Sequence, residues 1–268
     1  MPSYTRLLCC ILLVCAGWVS VAHAQTKPGV VLLMSEELDG KGNVIPLTVE
    51  VVELLRYLEQ HTRLKFEVRR YPWKRAVENA AMGEGLIFGM SKTRERLRSF
   101  KFSAPIFSDQ ALLVTLCNAR FAFNSINDLK GKTIGIVRGT SYGEEFDRLS
   151  NDLFKVEDDT GNNLGRFRKL SMRRMDAFLL YSSSSNIGRL ENHINQQYAA
   201  EYGNKKINSE ASGKSNSKLF CILPRPVSSV DIHIAMRTDG NASLLQKIDK
   251  AIMQGHQSGE LARIYAPK

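Results

Sequence analysis

Three groups of residues in this sequence carry side chains that could act on a small polar molecule. The first is the arginine-rich turn Arg94, Arg96 and Arg98. A guanidinium presents a planar fork of donors that suits a carboxylate bidentately. The same turn also fits a solvated surface charge. Ser91 and Thr93, just ahead of it, could add hydroxyl and backbone donors or act as simple caps. The second group is Gly139-Thr140-Ser141, placed before a helical stretch that runs through Phe146 to Leu149. Free N–H groups and the dipole at a helix start favour an anion, and ordinary capping explains the same residues without a ligand. The third is Trp73, a wall for a ligand to stack on or a packing residue, with Tyr71 and Glu36 as further candidate contacts. No metal or cofactor is expected: there is no C-x-x-C, and His61, His193, His233 and His256 share no ligand spacing.

The first 24 residues read as an address. Arg6 supplies the positive end, Leu7 to Val14 an apolar core, and Ala22-His23-Ala24 a cleavage site. Lipidation at Cys15 would need a small residue before it, where Val14 stands, and the apolar run is short for a membrane span. A cleavable signal peptide over residues 1–24 and a soluble periplasmic chain from Gln25 are therefore expected. Losing the leader removes Cys9, Cys10 and Cys15 and leaves Cys117 and Cys221. In an oxidising compartment an isolated pair is expected to be bridged, the alternative being two unrelated buried thiols. Removal of Arg6 lowers the formal net charge from +10 to +9. Such a charge could draw an acidic ligand or the anionic envelope surface, or simply keep the chain soluble. An exported chain without a stacking or helix-turn-helix motif excludes a nucleic-acid partner.

The elements that must position these groups follow from periodicity. Val30 to Met34 reads as a buried strand. Val51, Leu54, Leu55 and Leu58 lie on one helical face. Leu64 to Arg70 alternates as a strand, and Pro72 can open a helix with Ala76, Val77 and Ala80 inward. Leu86 to Met90 is a third strand, so the order is β-α-β-α-β, which implies a parallel sheet flanked by helices. A second α/β unit follows the apolar strand Ala111 to Leu116. It contains strands at Thr133 to Val137, Met175 to Tyr181 and Lys218 to Leu223. Gln196 to Ser217 reads as an exposed polar excursion. Asp231 to Met236 is again a strand, followed by the helical stripe Leu244, Leu245, Ile248 and Ile252 and a last short helix over Gly259 to Tyr265.

The order of these motifs resembles the periplasmic solute-binding proteins of family 3, which include the amino-acid receptors of ABC importers. Tyr71-Pro72-Trp73-Lys74-Arg75-Ala76 looks like the family's Trp-containing entry to its second helix. Gly89 to Arg96 followed by Phe102-Ser103-Ala104-Pro105 is similar to its T-x-x-R … F-S-x-P-Y signature. Ile126 through Thr140 matches I-x-D-L-K-G-K-x-I-G-I-x-x-G-T, and Gly259 to Tyr265 fits its ending. The resemblance implies a type II periplasmic-binding-protein fold: two α/β lobes joined by a two-strand hinge, placed near Ala111 to Leu116 and Asp231 to Met236. Lobe 1 would take residues 25–113 and 231–268, lobe 2 residues 114–230, with the ligand between them. It also implies that Arg96 grips a ligand carboxylate and that the small-molecule solute is handed to an ABC permease or a membrane sensor; a monomer is expected.

The sequence departs from that family where an amino acid's ammonium would be held. The aspartate expected after the lobe-2 strand aligns with Tyr181, followed by Ser182 to Ser185, and Asp176 belongs to the strand motif. An unpaired ammonium in a closed cleft would cost on the order of several kcal/mol. The expected ligand is therefore a carboxylate or other polar solute without that ammonium. A periplasmic cyclohexadienyl dehydratase shares the fold, and Thr115-Leu116-Cys117 with Ala119-Arg120-Phe121 resembles its lobe-2 entrance. Its second cysteine falls near Cys221, which agrees with the bridge. Its glutamate, however, has no counterpart in Tyr181 to Ile187, so a non-enzymatic binder is expected. A degenerate member acting through its surface as a signalling partner is the remaining alternative.

Overall fold

The computed structural model describes residues 29–159, 163–184, 186–203 and 218–265. The signal peptide expected over residues 1–24 and most of the polar excursion, from 204 to 217, lie outside the described residues. The chain opens with β1 (Val30–Ser35), α1 (Val49–Thr62), β2 (Phe66–Tyr71), α2 (Trp73–Ala81), β3 (Leu86–Met90) and the short β4 (Phe100–Phe102). β5 (Phe107–Leu116) crosses to a second unit made of β6 (Thr133–Val137), α3 (Glu144–Leu149), β7 (Lys155–Asp159), α4 (Asn163–Ser171), β8 (Ala177–Ser182), α5 (Ile187–Tyr202) and β9 (Phe220–Ile222). β10 (Ser228–Arg237) crosses back, and α6 (Ala242–Ser258) and α7 (Glu260–Ile264) complete the first unit.

Local chemistry explains these boundaries. The Thr48 side chain accepts from Val51 N at the start of α1, Glu50 complements the dipole, and Arg63 ends the helix in the left-handed region. Leu54 and Leu58 of the sequence-derived stripe are fully buried, with Val51 and Leu55 packed at the edge of the same core. Asn241 caps α6, and Gly259, with φ of 75°, both ends it and starts α7.

Two α/β lobes result. β2-β1-β3 run parallel, as the β-α-β-α-β order requires, and β10 closes that sheet antiparallel to β3. In the second lobe β6 lies parallel to β7 and β8, while β5 is antiparallel to β8 and β9. Each sheet has an apolar core on both faces. In the first lobe Leu54, Leu58, Ile248 and Ile252 pack on one side and Trp73, Ala76 and Ala80 on the other. In the second, Ile134, Tyr142 and Phe146 oppose Phe167, Ile194 and Phe220.

The lobes are joined through β5 and β10. β10 pairs with β5 from Ser228 to Ile232 and then with β3 and β4 from His233 to Arg237. β5 starts four residues before the apolar run at Ala111, so the crossing segment is Phe107 to Ala111. Sequence periodicity missed β4, β7 and α4, whose residues are polar or few, and also α5, whose last residues, Gln196 to Tyr202, take up the start of the expected polar excursion and bury Tyr198. Cys117 and Cys221 form a disulfide with sulfurs 2.02 Å apart, tying the end of β5 to β9. No helix among the described residues is long and apolar enough to cross a membrane.

Candidate functional site

A cavity of about 360 Å³ lies between the two lobes, within the size range of small-molecule sites. Its floor is the pair of crossing strands. On β5 the residues Phe107 and Asp109 face inward while Ser108 and Gln110 are exposed, and Ile232 contributes from β10. β3 and the turn after it supply Ser91 and Arg96, α2 supplies Trp73, and the loop after β6 supplies Thr140 and Ser141.

Arg96 is anchored on its own lobe and reaches the other. Its Nη1 donates to the Ser91 carbonyl at 2.9 Å and to Ser91 Oγ at 3.0 Å, and its Nη2 donates to the Gly139 carbonyl at 3.0 Å. Trp73 Nε1 donates to the same Gly139 carbonyl at 3.0 Å. Trp73 is therefore both a buried packing residue and a cavity wall. Burial works against the Arg96 charge and lowers its pKa, with Asp147, Tyr181 and Glu95 acting the other way; a guanidinium keeps its proton all the same. Gly139 has φ of 78°, and a Cβ there would stand 3.2 Å from Lys74 Cβ. Only glycine gives both that backbone and that approach to α2. Two more contacts span the lobes: Asn163 Nδ2 donates to Glu37, and Arg94 pairs with Glu144 at 3.4 Å.

Thr140 and Ser141 line the cavity, but they do not cap a helix. α3 begins at Glu144, with Gly143 as its N-cap at φ of 105°. The chain's own Asp147 collects the donors that an anion was expected to find. Ser141 Oγ donates to it, and Tyr142 N donates to Asp147 Oδ1 at 2.9 Å. Three acidic residues in the first turn of α3 already satisfy its positive end.

The remaining sequence candidates divide. Ser91 is buried in the cavity wall, and Glu36 lines it. Thr93 lies in an outer groove, where its hydroxyl accepts from Arg96 N at 3.1 Å and shapes the arginine turn. Tyr71 is turned away from the cavity, and its hydroxyl donates to Glu84 at 3.0 Å. Tyr181 lines the cavity, stacked at 5.1 Å on Tyr142, and its hydroxyl donates to the Ser141 carbonyl at 2.6 Å. Burial, the neighbouring Tyr142 and the charges of Asp147 and Asp109 push its phenol pKa up, so it stays neutral.

Arg166 and Asp109 stand out among the cavity residues that the sequence reading did not single out. Arg166 of α4 is 3% exposed; Nη1 donates to the Leu179 carbonyl at 2.7 Å, Nη2 donates to Asn163, and Nε has no partner among the described residues. Asp109 carries a carboxyl whose pKa is raised from 3.8 to about 6 by burial. Its signal was the inward phase of the alternation Phe107, Asp109, Ala111, which a search for apolar runs passes over.

Fold and cleft together define a two-lobed binder of small molecules. Residues 49–267 match the bacterial extracellular solute-binding proteins, family 3, and the chain belongs to that family. Solved structures share the architecture. An ancestral arginine-binding protein bound to arginine superposes with a TM-score of 0.65 at 22% identity, covering 89% of this chain and 97% of that one. The amino-acid ABC transporter substrate-binding protein AbpA from Streptococcus pneumoniae, bound to L-arginine, gives 0.65 at 19% identity over 88% and 92%. The GluR0 ligand-binding core from Nostoc punctiforme, in complex with L-glutamate, gives 0.62 at 16% identity over 88% and 97%.

Proposed function

We propose that this protein captures a small polar, carboxylate-bearing solute between its lobes and delivers it to an ABC permease or a membrane sensor. The observation that carries this reading is the state of Arg96. It lines the cavity, it is a permanent cation, and its partners are two carbonyls and a hydroxyl. Hydrogen bonds hold the guanidinium in place while its charge is left for a ligand. Ser91, Trp73, Thr140 and Ser141 complete the surrounding wall, with Glu36 and Tyr181 at its edge. Residues 25–113 with 231–268 form one closing body and 114–230 the other, behind a signal peptide cleaved after residue 24. The receptor acts in the periplasm as a monomer.

On this reading the protein is a binder and not a dehydratase, whose glutamate has no counterpart in residues 181–187; turnover of prephenate or arogenate would overturn it. Native mass spectrometry of protein taken from its own periplasm identifies the solute. That solute at a hundredfold excess over Kd should stabilise the fold by about 2.7 kcal/mol. Arg96→Ala should abolish this stabilisation while the unliganded protein stays folded, and unchanged stabilisation would remove Arg96 from the site.

A further inference from the structure

Six charged side chains line the cavity: Glu36, Glu37, Asp109, Arg70, Arg96 and Arg166. None of them joins an ion pair among the described residues. The arginines are held by neutral acceptors instead. Arg70 donates to the Ser35 and Ile45 carbonyls, Arg96 to Ser91 and Gly139, and Arg166 to Leu179 and Asn163. Charge of both signs therefore faces one cleft without internal neutralisation. Asp109 is the extreme case. It projects from the crossing strand beside Phe107 and Ile232, opposite Val230 in register, and no described residue donates a hydrogen bond to its carboxylate. Desolvation is the one influence acting on it, with no cation opposing. An ionised carboxylate placed in such surroundings requires a counter-charge.

We infer that Asp109 receives a cationic nitrogen of the ligand, so that the solute carries an amine together with its carboxylate. This rests on the capture of a carboxylate at Arg96 and names the second half of the same ligand. It stands against the expectation of a solute without ammonium. Tyr181 does stand where an aspartate was expected, and its hydroxyl is spent on Ser141. The acid is supplied instead from the floor of the cleft, on a different strand. The two positions are neighbours: Tyr181 pairs with Ala111, two residues from Asp109 on the same face of β5.

The test is titration calorimetry of the mature chain at pH 7.5 with the protein amino acids and with matched acids in which hydrogen replaces the α-amino group, such as glutarate for L-glutamate. The expected result is that at least one amino acid binds and its amine-free partner binds more weakly. Asp109→Asn should weaken the amino acid by about 30-fold or more, the scale for removing one side of a desolvated charge pair, and leave the amine-free acid bound as tightly or more tightly, since a like charge has been removed. Thermal melting checks that this variant is folded. Amine-free acids binding equally well, or Asp109→Asn leaving amino-acid affinity unchanged, overturns the inference and leaves carboxylate capture standing. Failure of every carboxylate, with or without an amine, overturns both.

Discussion

Replacing Asp109 by asparagine should make the ligand-free protein more stable. The carboxyl pKa is raised from 3.8 to about 6 by burial, and each unit corresponds to about 1.36 kcal/mol. The ionised side chain thus costs the fold up to about 3 kcal/mol. The sign follows from proton binding. Between roughly pH 4 and pH 6 the folded protein holds a proton that the unfolded chain has released, so stability falls as pH rises through that window and is flat above it. Asparagine keeps the shape and removes the charge, so the gain at pH 7.5 should lie at about 1–3 kcal/mol, the lower figure allowing for water reaching this half-buried group. For a chain of this size that is roughly 2–10 °C in Tm. The titratable groups facing Asp109 are the Tyr181 and Tyr265 phenols, both raised by burial and neutral throughout the window. His233, on β10, hydrogen-bonds Ser103, and burial lowers its pKa; its contribution is common to both proteins. The assay is thermal melting of both proteins, stripped of bound solute, from pH 4 to pH 8. The curves should separate above pH 6 and converge toward pH 4. An asparagine variant that melts at or below the native protein at pH 7.5, or by the same margin at both ends, would refute the reasoning.

Gly139→Ala forces a β-carbon into a backbone with φ of 78° and against Lys74 at 3.2 Å. The strain is about 1–2 kcal/mol, and the carbonyl that receives Arg96 and Trp73 is displaced. Weaker solute binding with an unchanged far-UV spectrum is expected, and native affinity would refute the role given to that approach. The Cys117–Cys221 bridge closes a sequence separation of 104 residues, and replacing both cysteines by serine should cost about 2–4 kcal/mol. Thiol labelling of the unreduced, denatured mature chain should find no free sulfhydryl; two reactive thiols would refute the bridge.

Much of the scaffold could be read from periodicity because burial imposes it. Leu54 and Leu58 on α1, Ala76 and Ala80 on α2, and the run Leu86 to Met90 all face cores, and their spacing records which face. The site was less legible, since its residues are chosen by what crosses between lobes. Thr140-Ser141 carries the local signature of a helix start. That signature cannot reveal that Gly143 delays the helix or that Asp147, six residues beyond Ser141, takes its hydroxyl. Tyr71 sits two residues from Trp73, yet one turns to Glu84 and the other to Gly139 across the cleft.

Asp109 shows the same limit in its sharpest form, and it changes the chemistry of the cleft. An acid inside a strand goes against the ordinary preference of strands, so a search for apolar runs begins the strand after it. Folded, its alternation with Phe107 and Ala111 turns it inward at the crossing point, where the strand borders the cavity rather than a core. Arg96 lies in the same cavity with its guanidinium held by carbonyls and a hydroxyl. A cleft with an unpaired acid on its floor and an unpaired cation on its wall offers a ligand two opposite charges to satisfy, and the Asp109→Asn and Arg96→Ala variants separate the two contributions.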